Sequence, residues 1–128
     1  MKRLLFYDND SRIVEAFNNS LDERKAELDL VSKFHDLLSK IGPKKYQAIV
    51  LNLEKKPTEG DICIKELIHV IKKLDPQLPI IVTTEKCSLD IEKEIRTAGI
   101  FFYMVKPFNP EEIKCVINEI LAKSNSIK

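Results

Sequence analysis

The chain has 128 residues, the size of one domain, and its 44% hydrophobic and 32% charged residues suffice for a buried core beneath a polar surface. With 21 Lys and Arg against 20 Asp and Glu, the net charge of +1 removes the electrostatic case for nucleic acid as the partner of this domain. In the N-terminal stretch MKRLLFYDND a short apolar run is followed at once by acids, too brief for a signal peptide or membrane span, so a cytoplasmic protein is expected.

Taken in chain order, the pattern alternates between strands and helices. Residues 3–7, RLLFY, form an apolar strand that stops at Asp8. A helix starts at Ser11, capped by Asp10 or Ser11, with Ile13, Val14, Phe17 and Leu21 on one side. A second strand is expected around Leu28–Ser32. Phe34, Leu37, Leu38 and Ile41 then recur at helical spacing, and Gly42-Pro43 ends that helix. Ala48–Leu51 is a continuous apolar strand of the kind covered on both faces, and it runs into Asn52. The stretch EKKPTEGD is expected to be a polar loop, with KKPTEG within it solvated. Ile64, Leu67, Ile68, Ile71 and Leu74 mark a third helix, closed by Asp75-Pro76.

Residues 79–84, PIIVTT, form a fourth strand. A short helix through Ile91, Ile95 and Ala98 stops at Gly99. Residues 100–105, IFFYMV, make the last strand. The final helix opens with Asn109 as N-cap, Pro110 at its first position and Glu112 three residues after the cap, and buries Ile113, Val116, Ile117, Ile120 and Leu121. The tail 124–128 is expected to fray.

Five strands alternating with five helices across short linkers predict a doubly wound parallel sheet, with the functional crevice beyond the carboxyl ends of the strands. Those ends carry Asp8, Asn9 and Asp10, then Asn52, then Thr83 and Thr84, then Lys106. Cys63, Cys87 and Cys115 are scattered and odd in number, so reduced thiols are expected, with neither a disulfide frame nor a zinc site.

The strand-end segments FYDND, VLNLE, IVTTE and YMVKPF, in register along nearly the whole chain, resemble the receiver domain of two-component response regulators. In AGIFFYMVKPFNPEEI, Gly99, Tyr103, Lys106, Pro107 and Phe108 all fall at family spacing. The resemblance implies a CheY-like, flavodoxin-like three-layer α/β/α fold for residues 1–123 and a role in phosphorelay signal transduction. It also implies a pocket of Asp8, Asn9, Asn52, Thr84 and Lys106, and a switch pair of Thr84 and Tyr103. In the family the threonine hydroxyl moves toward the phosphoryl group and the aromatic ring turns inward.

Two residues depart from that pattern. Asn52 stands where the family has its phosphoacceptor aspartate, and Asn9 replaces the second member of the acidic pair. A neutral amide is not the charged nucleophile that acyl phosphate formation needs. Mg²⁺ favours anionic oxygens, so its binding is expected to be weak or lost, with Asp8 and Asp10 as vestigial ligands. The resulting expectation is a pseudo-receiver that is no enzyme and acts as a phosphorylation-independent or constitutively held interaction module. Lys106 would pair with Asp8 or donate to the Asn52 oxygen. The partner would be a histidine kinase, a downstream signalling protein or a second copy, met on the face of the fourth helix, fifth strand and fifth helix. Lys93, Arg96, Phe102 and Lys114 are its expected exposed residues. The alternative is a receiver that still accepts phosphate weakly through Asp8 and Asp10. A flavin or nucleotide site is disfavoured because DNDSR holds no glycine.

Overall fold

The computed structural model describes residues 3–7, 11–20, 27–41, 46–54, 63–85, 88–106 and 109–126. Its elements, in chain order, are β1 (Arg3–Tyr7), α1 (Ser11–Ser20), β2 (Glu27–Val31), α2 (Phe34–Lys40), β3 (Ala48–Asn52), α3 (Ile64–Leu74), β4 (Ile80–Thr84), α4 (Leu89–Thr97), β5 (Phe102–Val105) and α5 (Pro110–Ser126). The strands form one sheet in the order β2-β1-β3-β4-β5, and every adjacent pair is parallel. The expected doubly wound α/β fold is therefore observed.

Strand alternation sorts the core into two layers. Leu5, Tyr7, Ile49, Leu51, Ile80, Val82 and Tyr103 face one side, where Leu37 of α2, Leu67, Ile68 and Ile71 of α3 and Ile95 of α4 pack on them. Leu4, Phe6, Ala48, Val50, Ile81 and Met104 face the other side, under Phe17 of α1 and Ile113, Val116, Ile117 and Ile120 of α5. Because both faces are covered, β3 and β4 are buried at every position, which explains their unbroken apolar runs. At the sheet edge β2 is only partly covered, and Leu30 stays 52% exposed.

The local signals act as their chemistry requires. The Asn109 side chain accepts a hydrogen bond from the Glu112 N–H at 2.9 Å, the N-cap of α5. Gly99 has φ +94°, the left-handed conformation that stops the chain after α4.

Several boundaries differ from the sequence-based expectation. Asn52 is the last residue of β3 rather than the first beyond it. β5 begins at Phe102, with Phe101 leading in through its N–H bond to the Ile80 carbonyl at 2.7 Å. α5 runs from Pro110 to Ser126. The buried stripe of α3 ends at Ile71, and Leu74 is exposed. Leu21, Gly42-Pro43 and the Ile13 and Leu121 side chains lie outside the described residues.

At the opposite end from the crevice, the buried Tyr46 donates its hydroxyl to Asp29 Oδ2 at 2.7 Å. Burial, and then the Asp29 carboxylate, push the Tyr46 phenol up to about 12, against a weaker opposing pull from Arg3. A phenol whose folded value lies above its unfolded value of 10 binds more protons folded than unfolded between the two. Its contribution is complete below about pH 10 and is lost as the pH rises toward 12. We predict that Tyr46→Phe flattens this alkaline decline in thermal stability and removes a tyrosinate absorbance step near pH 12. An unchanged titration in the variant would refute the assignment.

Candidate functional site

The crevice lies at the carboxyl ends of β1, β3, β4 and β5, where the order of the sheet reverses between β1 and β3. Parallel pairing sets Asn52 beside Thr83 and Thr84 beside Val105, so the third, fourth and fifth strand ends stop at one level. Of the residues expected here, Asn52, Thr84, Lys106 and Tyr103 fall among the described residues. Asp8, Asn9, Asp10, Pro107 and Phe108 lie outside them, as does Cys87.

Asn52 is 8% exposed, and its side-chain oxygen accepts the Glu54 N–H at 3.0 Å. This contact closes a short turn directly after the strand, as Asn side chains do when they bond the backbone two residues on. The Leu53 N–H donates to the Thr83 carbonyl at 2.8 Å and fastens the turn to β4. The amide thus satisfies a backbone group at the strand end while occupying the position expected of the acceptor.

The two adjacent threonines at the end of β4 are separated by the sheet. Thr83 points to the α1/α5 side, its hydroxyl 3.5 Å from the Leu51 carbonyl. Thr84 donates its hydroxyl to Glu54 Oε2 at 2.5 Å, and the Glu85 N–H donates to Glu54 Oε1 at 2.7 Å. The sequence reading placed Glu54 at the start of a polar loop and gave it no partner. The turn capped by Asn52 instead carries its carboxylate across to the end of β4. A Glu two residues after the strand was the available signal, but a contact between residues 30 apart leaves no periodicity to read.

Lys106 is half-buried, and its backbone N–H donates to the Thr84 carbonyl at 2.7 Å, which holds it at the end of β5. Tyr103 is 6% exposed, its ring inside the α2/α3/α4 layer, with the Arg96 guanidinium carbon 5.8 Å from the ring centroid.

On the α4-β5-α5 face Lys93, Arg96 and Lys114 are exposed as expected. Arg96 also bonds Glu92 at 2.7 Å within α4. Phe102 departs from its expected exposure. Strand alternation turns it to the α5 side, where it is half-buried against the second core layer and tilted against Phe101 at 6.4 Å. Leu89, in the first turn of α4, is 72% exposed and was not anticipated. Cys63 and Cys115 are free and exposed.

Among the described residues no group of three or more His, Cys, Asp or Glu is placed to hold a metal ion, and no helix is long and apolar enough to cross a membrane. Asn52 supplies a neutral oxygen already engaged by a backbone N–H, and the nearby carboxylate of Glu54 is engaged by Thr84 and Glu85.

A parallel five-stranded sheet with these strand-end residues defines a receiver-type domain, and the family model for the response regulator receiver domain matches residues 4–118. The chain belongs to that family. The regulatory protein LuxO of Vibrio cholerae is 19% identical over 121 residues, covering 94% of this chain and 26% of LuxO. The transcriptional regulatory protein ZraR of Salmonella typhimurium is 26% identical over 88 residues, covering 69% of this chain and 19% of ZraR. The chain therefore spans about a quarter or less of these relatives. A two-component response regulator from Clostridium difficile superposes with a TM-score of 0.80 at 23% identity, over 98% of this chain and 99% of that one.

Proposed function

We propose that this receiver domain is of a degenerate type, a protein-interaction module of two-component signalling that works without forming an aspartyl phosphate. The observation that carries the reading is Asn52 at the end of β3, its oxygen bonded to the Glu54 N–H. An amide has no charged oxygen to attack a phosphohistidine or acyl phosphate. The neutral residues at positions 9 and 52 also leave little charge for Mg²⁺, so weak or absent metal binding belongs to the same reading.

The surface we assign to the partner is the α4-β5-α5 face, with Lys93, Arg96 and Lys114 exposed on it. The occupant is a protein of a two-component pathway or a second copy of this chain, in the cytoplasm. Incubation with Mg²⁺ and acetyl phosphate, followed by intact mass measurement, is expected to leave the mass unchanged. A gain of one phosphoryl group, through Asp8, Asp10 or any other carboxylate, would overturn the proposal.

A further inference from the structure

Two donors converge at the end of β4, and one carboxylate takes both. The Thr84 hydroxyl, on a residue with 0% exposure, donates to Glu54 Oε2 at 2.5 Å, and the Glu85 N–H donates to Oε1 at 2.7 Å. A hydroxyl and a backbone N–H aimed at the two oxygens of one anion make charge-assisted bonds, stronger than neutral ones. The carboxylate is placed by local structure. Asn52 Oδ1 caps the turn at the Glu54 N–H at 3.0 Å, and the Leu53 N–H holds the same turn to Thr83 at 2.8 Å. A neutral residue at 52 suits this arrangement, since a second carboxylate one turn away would repel the first.

We propose that the Thr84 hydroxyl and the Glu85 N–H form an oxyanion site that this chain fills with its own Glu54 carboxylate, so that a tethered internal anion holds the end of β4 in one state. The inference rests on the reading that Asn52 takes no phosphoryl group. It adds the agent that replaces one. Tyr103 lies on the adjacent strand, paired with Val82 two residues before Thr84, and its ring is buried. The hydroxyl and the ring, matched by resemblance to a switch pair, are thus engaged and inward with no added ligand. With Glu54 removed, the same donors should accept a small tetrahedral oxyanion such as inorganic phosphate.

The test follows the Glu85 amide and the Thr84 methyl by NMR in the wild type, Glu54→Ala, Glu54→Gln and Thr84→Val. In Glu54→Ala the Glu85 amide proton should move upfield and exchange with solvent about tenfold faster or more, with amides distant from the crevice unmoved. Glu54→Gln keeps one neutral acceptor oxygen and should fall between the alanine variant and the wild type. Thr84→Val should loosen the same amide with the carboxylate still present. Millimolar phosphate should return the Glu85 amide toward its wild-type position in Glu54→Ala and leave the wild type unmoved.

An unchanged Glu85 amide in Glu54→Ala overturns the latch, and one unchanged in Glu54→Gln or Thr84→Val overturns the roles of charge and of the hydroxyl. No phosphate response in Glu54→Ala overturns the oxyanion site, and an equal response in the wild type overturns self-occupancy. A phosphoryl mass gain in the wild type sinks the degenerate reading alone, because these amide measurements need neither phosphoryl donor nor metal.

Discussion

Replacing Asn9 and Asn52 together by aspartate is expected to give a receiver pocket that binds Mg²⁺ at low millimolar concentration and takes a phosphoryl group from acetyl phosphate. The substitution adds two formal charges where the wild type carries neutral amides. Mg²⁺ binds hard anionic oxygens and dehydrates reluctantly, so ligand charge governs its affinity. Asn52→Asp alone should bind more weakly, because it supplies one of the two added carboxylates. A gain of at least about tenfold in affinity over the wild type, or about 1.4 kcal/mol, is the expected scale.

The metal-free double variant should also be less stable than the wild type. The new charge at position 52 adjoins the turn that holds the Glu54 carboxylate against Thr84 and Glu85, and like charges held close oppose folding. Mg²⁺ should restore the loss, because a ligand that binds only the native state raises the melting temperature by mass action. Calorimetric titration and melting curves with and without Mg²⁺ read both effects. If the double variant shows no saturable Mg²⁺ binding, the alignment of the pocket is wrong.

Phe17→Ala should have the largest effect on stability. The ring is fully buried between α1 and the sheet and meets Phe6 edge-on, with centroids 5.2 Å apart and planes at 79°. Truncating such a ring forfeits its burial, leaves a cavity and loses the aromatic pair, a cost of about 3–5 kcal/mol. Against a total stability of about 5–15 kcal/mol, that is a large part of the whole. Urea unfolding should show it as a lower midpoint with an unchanged slope. Leu89→Ala is the matched control. Its side chain is 72% exposed, and its effect should stay within about 0.5 kcal/mol. A loss below about 1 kcal/mol for Phe17→Ala would contradict the packing of α1 described above.

Much of the architecture was legible in the residues. The apolar runs of β3 and β4 announced strands covered on both faces, because a central parallel strand has no solvent side to mark with polar residues. The stripe Ile64, Leu67, Ile68, Ile71 announced α3, and Asn109 announced the start of α5 through a bond that spans only three residues. Signals of this kind are local, so the sequence carries them whole. Edges were less legible. Leu30 and Leu74 are apolar yet exposed, and Phe102 is half-buried where exposure was expected, because coverage depends on which element comes to lie above a residue.

By itself, then, the sequence determined the order of elements, the parallel sheet and the presence of an amide where an acceptor carboxylate was expected, since each follows from residue type and short-range spacing. Only the tertiary structure decided which threonine faces which side of the sheet and where the Glu54 carboxylate goes. Thr83 and Thr84 are equivalent in composition and differ only by the alternation of a strand whose neighbours must be known. Glu54 reads as one more acid in a polar loop until β3 and β4 are laid side by side. Their pairing then sets its carboxylate against a hydroxyl 30 residues away, at a distance that no local pattern encodes.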